Sequence, residues 1–233
     1  MYIAFGTGQY LESDDRASTV QQSFYAIYDN ATTTLDTSSG TVAVSGRGRL
    51  AMGTFTAAST GTTGTTSTTT SDGSVDVPVF TPGRATSDAD TTQRSGWYFD
   101  YPSSGERQIS SAQLSGDILA FSSLLPGSSG AAAVCGVGGG SGRGYLLNID
   151  TGDGNTFISK VGILGAPIVL DLANTTETTS NSTGRRLRTI TSQVISQGSS
   201  GFSQVTTTQR AVVAGRLSWR QINNYQDLKG STP

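Results

Sequence analysis

The chain has 233 residues, a formal net charge of −2, only 14% charged residues and no histidine. Such a balance excludes a broad electrostatic footprint for nucleic acid or an anionic membrane. The missing histidine also removes the Ser-His-Asp and Cys-His dyads and the commonest metal ligand. No apolar run reaches the roughly 20 residues that a membrane-spanning helix needs.

Strand-like segments recur along the chain, while helical periodicity does not. The first is MYIAF (1–5), which runs into the tight FGTG loop and an acidic turn at Asp14 and Asp15. In SFYAIYD (23–29), Phe24, Ala26 and Tyr28 alternate with Tyr25, Ile27 and Asp29, the two-residue period of a strand. TVAVS (41–45) and RLAMGTFTA (49–57) follow, and then STGTTGTTSTTTSDGS (59–74), a low-complexity tract with no large apolar residue except its flanks to bury. Threonine suits strands, so this tract is expected to lie against the domain or a neighbouring chain as an added outer strand.

GWYFDYP (96–102) alternates Trp97, Phe99 and Tyr101 with Tyr98 and Asp100, and Pro102 closes it. ERQIS (106–110), SGDILAFSSLLP (115–126), YLLNID (145–150), FISKVGI (157–163), PIVLDL (167–172), RRLRTITSQVIS (185–196) and RAVVAGRLSW (210–219) complete the series. About twelve to fourteen short strands between turn clusters indicate an all-β sandwich, barrel or propeller. At four strands to a blade they make roughly four blades.

Six segments, in order, carry a resemblance: FGTGQYL, QSFYAIYD, GWYFDYP-SSGER, SGDILAFSSLLP, C-x-x-GGGSG-x-GYLLNIDTGDG and GRLSWRQI. Together they resemble the C-terminal domain of the PilY/PilC family of type IV pilus tip-associated biogenesis factors and adhesins. The match runs from Phe5 to Ile222, with departures between about 30 and 95 and after Tyr225. The resemblance implies a modified, quinoprotein-like β-propeller over 1–225, a tail at 226–233, and a Thr/Ser/Gly-rich insertion at about 30–95. Family domains are longer, so an incomplete ring is expected, with further blades and a secretion signal upstream of Met1. The strand at 210–219 would close a complete ring by pairing with 1–5; an incomplete one leaves that edge free. Function is then expected to be non-enzymatic: binding of minor pilins at an extracellular pilus tip, and contact with a host or abiotic surface. A structural subunit or decoration of an extracellular filament and a carbohydrate-binding β module are the alternatives.

Residues that invite other chemistry have simpler readings. Asp150, Asp153 and Asn155 approach a calcium loop, but their spacing departs from D-x-[DN]-x-[DN]-G and no glutamate follows at the twelfth position. Asp-Gly between apolar segments is a hairpin signal, so no metal or cofactor is expected in this chain and any family calcium site is expected upstream. Cys135 stands alone in a glycine-rich stretch that lacks the Gly-Lys-Ser/Thr of a phosphate loop and leads into a strand. Lys160 and Lys229 are the only lysines. Arg47 and Arg49, and Arg185, Arg186 and Arg188, form small basic knots on strand faces or loops. Asp88 and Asp90 read as loop acids, Asn30, Asn174 and Asn181 head Thr-rich sequon matches, and Trp97 and Trp219 read as core. No catalytic or metal-binding residue is assigned.

Overall fold

Alternation of apolar side chains with Thr, Ser and Tyr builds sheet, and in the computed structural model sixteen strands form among the described residues. The structure describes residues 1–12, 14–29, 46–58, 71–83, 89–127, 140–178 and 187–213. The strands are β1 (Tyr2–Gly6), β2 (Ser23–Tyr28), β3 (Ala51–Ala57), β4 (Gly73–Asp76), β5 (Thr81–Pro82), β6 (Gln93–Arg94), β7 (Gly96–Asp100) and β8 (Gln113–Ser115). They continue with β9 (Ile118–Ser122), β10 (Leu125–Pro126), β11 (Gly140–Ser141), β12 (Arg143–Asn148), β13 (Gly154–Ile158), β14 (Ile168–Thr178), β15 (Leu187–Gln197) and β16 (Ser203–Val213). A single 3-10 turn, Asp14–Arg16, is the one helical element among the described residues.

Nine strands share one sheet in the order β1-β2-β7-β3-β4-β13-β12-β9-β8. Neighbours are antiparallel except at β3 and β7, where Ala51 faces Trp97 and Gly53 faces Phe99 in parallel register. The sheet curls on itself: Phe24 of β2 stacks on Phe121 of β9, with ring centroids 4.0 Å apart, although five strands separate β2 from β9 in the order. The all-β class expected from the sequence is what forms, as a curled, propeller-like sheet in which β1 and β8 are the outermost of the described strands. Strands β3 and β4 come from the region read as an insertion, and they sit at the centre of the sheet.

The inner face collects the residues that the two-residue period picked out. Phe24, Trp97, Phe99, Tyr101, Phe121 and Tyr145 are all essentially buried, with Val75, Leu119 and Leu147 between them. Full burial of such side chains stabilises by about 1.5–3 kcal/mol each, and aromatic pairs add about 0.5–1.5 kcal/mol. Trp97 is the core residue its strand position suggested, and its indole N–H donates to the Ile149 carbonyl at 2.9 Å. On the outer face, Phe5, Tyr25 and Tyr98 form a ladder across three strands, and the Arg47 guanidinium lies over the Tyr25 and Tyr98 rings.

Two compact units divide the chain, one comprising 1–170 and 193–206 and the other 171–192 and 207–233. The first holds the nine-stranded sheet. In the second, Asp171 accepts a hydrogen bond from Ser192 Oγ and pairs with Arg210.

Several sequence expectations fall outside the described residues: the strand at 41–45, most of the Thr-rich tract (59–70), Cys135, the strand end at 214–219 with Trp219, and the tail at 226–233. Asn30, Asp88, Asn181, Arg185, Arg186 and Lys229 also lie there. The last residues of the tract, 71–74, lead into β4, which pairs with β3 and β13. Gly73 and Ser74 therefore belong to an inner strand of the sheet.

Candidate functional site

The SSGER segment supplies a joint between the two ends of the sheet. Gly105 adopts a φ of +77°, and a β-carbon there would meet the Ser18 carbonyl oxygen at 2.6 Å. Glycine is therefore required at this turn. The turn is closed reciprocally: Glu106 N–H donates to the Ser103 carbonyl at 3.0 Å, and Ser103 N–H donates to Glu106 Oε2 at 3.2 Å. The sequence suggests a strand over 106–110, but only a bridge forms, between Arg107 and Leu124. The turn and the diverging side chains of Glu106 and Arg107 interrupt the ladder.

Glu106 is completely buried and points inward. Its Oε1 accepts from Ser123 Oγ at 2.5 Å and from Tyr145 Oη at 2.6 Å, and its Oε2 accepts from Arg143 at 2.8 Å. Arg143 in turn donates to Asp72 at 2.8 Å, and Asp72 accepts from Thr156 Oγ1 at 2.8 Å. Every charge in this network has a partner of opposite sign, the condition for keeping charges out of water. Burial first, and then the charge of Glu106, pushes the Tyr145 hydroxyl well above its ordinary range, so it stays a donor. Tyr101 is shifted in the same direction for the same reasons.

Arg107 is buried too, and its side chain donates to four backbone carbonyls. These belong to Gly105 at 2.9 Å, Gln9 at 2.8 Å, Asp15 at 2.9 Å and Ser18 at 2.8 Å. One guanidinium thus fixes the loop that leaves β1. Asp15 finishes the loop by accepting from the N–H groups of Leu11 and Glu12, and those bonds hold its carboxyl below the usual carboxylate range.

Adjacent to this joint lies a groove of about 770 Å³, between the end of β1 with its following loop and the segment leading into β8. One wall is Ala4, Phe5, Gly6 and residues 8–11; the other is residues 108–112. The walls meet where Gln108 N–H donates to the Thr7 carbonyl at 3.3 Å. Beneath it, a β-carbon on Gly6 would collide with the Gln108 side chain and the Tyr101 hydroxyl. From there the two edges part. Ile3, Phe5, Leu11, Ile109 and Leu114 are exposed along them.

The other sequence-level candidates are placed in structural roles. Asp153 accepts from the Val77 N–H at 2.7 Å, and Asn148 Oδ1 accepts from the N–H groups of Asp150 and Thr151. The loop they share joins β12 to β13 as a hairpin. No group of three or more potential metal ligands occurs among the described residues. Asp90 accepts from the Thr92 and Gln93 N–H groups within its own turn. Arg47 pairs with Asp100 at 2.8 Å, and Lys160 N–H donates to Gln204. Arg188 is exposed. Sequence reasoning did not find Glu106, Arg107 or Arg143 as a hub; two adjacent opposite charges inside an otherwise apolar strand series was the available signal.

No family model, curated protein or solved structure matches this chain.

Proposed function

We propose that this chain is a non-enzymatic binding domain of a type IV pilus biogenesis and tip adhesion protein, acting outside the cell. The reading is carried by the six-segment resemblance to the PilY/PilC family, which runs in order along nearly the whole chain. An all-β frame with a groove of mixed, uncharged lining beside its β1 strand supports a binding role, since such clefts take partners by contact and need no reacting group. Minor pilins are the expected partners, with a host or abiotic surface as a second contact.

Deleting the gene tests it directly. Surface piliation and attachment should fall, and minor pilins should co-purify with the tagged protein. Normal piliation, twitching and attachment in a clean deletion would discard the reading. Co-purification of identical copies alone, or retention on glycans alone, would replace it with a filament-subunit or carbohydrate-binding role.

A further inference from the structure

The groove runs along β1, whose Ala4 and Gly6 backbone groups have no hydrogen-bond partner among the described residues. In the β1–β2 ladder, Ile3 faces Ile27 and Phe5 faces Tyr25. Asp29 N–H donates to the Met1 carbonyl and Thr7 N–H to the Ser23 carbonyl, so the odd-numbered residues of β1 exchange hydrogen bonds with β2. Antiparallel pairs alternate. The N–H and C=O of Tyr2, Ala4 and Gly6 therefore point away from β2, toward the groove. Free edges of this kind are templates for another strand.

We infer that the groove accepts one extended, uncharged peptide segment of a partner protein, which pairs with the outward backbone of Ala4 and Gly6. This rests on reading the seam as a binding surface, and it is independent of the pilus assignment. The occupant's chemistry follows from the lining. None of the described residues that line the groove carries a charge, so a charged side chain entering it would be desolvated with no counter-ion among them. Phe5 is 42% exposed at the end of the Phe5–Tyr25–Tyr98 ladder. A side chain next to Phe5 on an added strand would extend that ladder, which favours an aromatic or β-branched residue there. A second copy of this domain is a poorer occupant, because its own 108–112 wall borders its β1 and would meet the first copy's wall.

Hydrogen exchange on the whole chain tests this, with an acetylated, amidated heptapeptide of alternating valine and threonine as the probe. The peptide should slow exchange of the Ala4 and Gly6 amides at least tenfold and leave those of Ile3 and Phe5 unchanged. The same peptide N-methylated at every residue should have no effect. Ala4→Pro removes an N–H that β2 does not use and should abolish the protection; should that variant fail to fold, the methylated peptide decides alone. Absence of protection at Ala4 and Gly6, or equal protection by the methylated peptide, would overturn the inference. A dimer in sedimentation that vanishes in Ala4→Pro would also overturn it, in favour of self-pairing. Loss of pili on gene deletion without peptide protection would keep the proposed function and discard strand capture; protection with normal pili would do the reverse.

Discussion

Glu106 and Arg143 form an ion pair at 2.8 Å in which the carboxylate is wholly buried and the arginine side chain is 16% exposed. The pair ties the SSGER turn to β12, and Asp72 extends the tie to the strand entry at β4. Removing Glu106 leaves Arg143 with Asp72 alone and leaves the buried Ser123 and Tyr145 hydroxyls without their acceptor. Glu106→Ala should therefore cost about 1–3 kcal/mol of stability, read by urea unfolding at neutral pH. A loss under about 1 kcal/mol would show that water reaches Arg143.

Arg107 holds its four carbonyls with hydrogen bonds from a charged donor, which are stronger than neutral ones. Arg107→Lys keeps the charge but cannot span the same fan of acceptors. Amide exchange across residues 9–18 should rise sharply in this variant, while β12 and β13 keep their protection. Unchanged exchange in the loop would mean that Asp15 alone holds it.

The ring stack at the centre of the sheet predicts a cavity effect. Phe121 lies 4.0 Å from Phe24 and 4.8 Å from Tyr145. Phe121→Ala should destabilise by about 3–5 kcal/mol, with a fall in the near-ultraviolet circular dichroism of the aromatic cluster. Phe5→Ala, at the exposed end of the outer ladder, should cost far less, and the ratio of the two separates core from groove.

Stability should also fall in alkali. Tyr2 is pushed up to about 12 by burial and by the nearby charge of Asp150, and Tyr101 and Tyr145 shift the same way. Their folded forms keep the proton after the unfolded chain has lost it, near pH 10. The stabilisation is thus complete below about pH 10 and is lost as pH rises through the folded values. Unfolding free energies measured from pH 8 to 12 should be flat and then decline. Tyr145→Phe should soften that decline, and an unchanged slope would exclude the buried hydroxyl as its source.

Acid acts through a different group. The Asp15 carboxyl is held down by the Glu12 and Leu11 N–H groups, so its contribution is present above the ordinary carboxylate range and is lost as pH falls through the lowered value. Exchange in residues 9–18 should accelerate there, and Asp15→Asn should remove that acid dependence.

Much of the fold was legible because a two-residue period reports directly on which face is buried. Phe24, Ala26, Trp97 and Phe99 alternate in sequence and all face inward. The order of strands was not legible. Nothing local in RLAMGTFTA states that Ala51 will run parallel to Trp97, since register between distant strands is set by packing across the whole sheet. The groove was invisible for the same reason: Ala4 and Ile109 belong to separate strand signals, and only closure brings them close. The polar hub escaped because charged residues near turns usually face water, whereas Glu106 is satisfied by groups up to 39 positions away.

The sheet's centre has a consequence for how the chain reaches this state. Val75 of β4 pairs with Phe55 on one side and with Gly154 on the other, and β7 is held between β2 and β3. The halves of the sheet therefore cannot join until β13 has been synthesised and delivered back across a long span of sequence. Closing such loops is entropically slow. During that interval β3 and β4 wait as a hairpin with one unsatisfied edge, and the Phe24–Phe121 contact is absent. Refolding of this domain should be slow, on the order of milliseconds to seconds as for other strand-dominated topologies, and most prone to mispairing before residues 154–158 arrive.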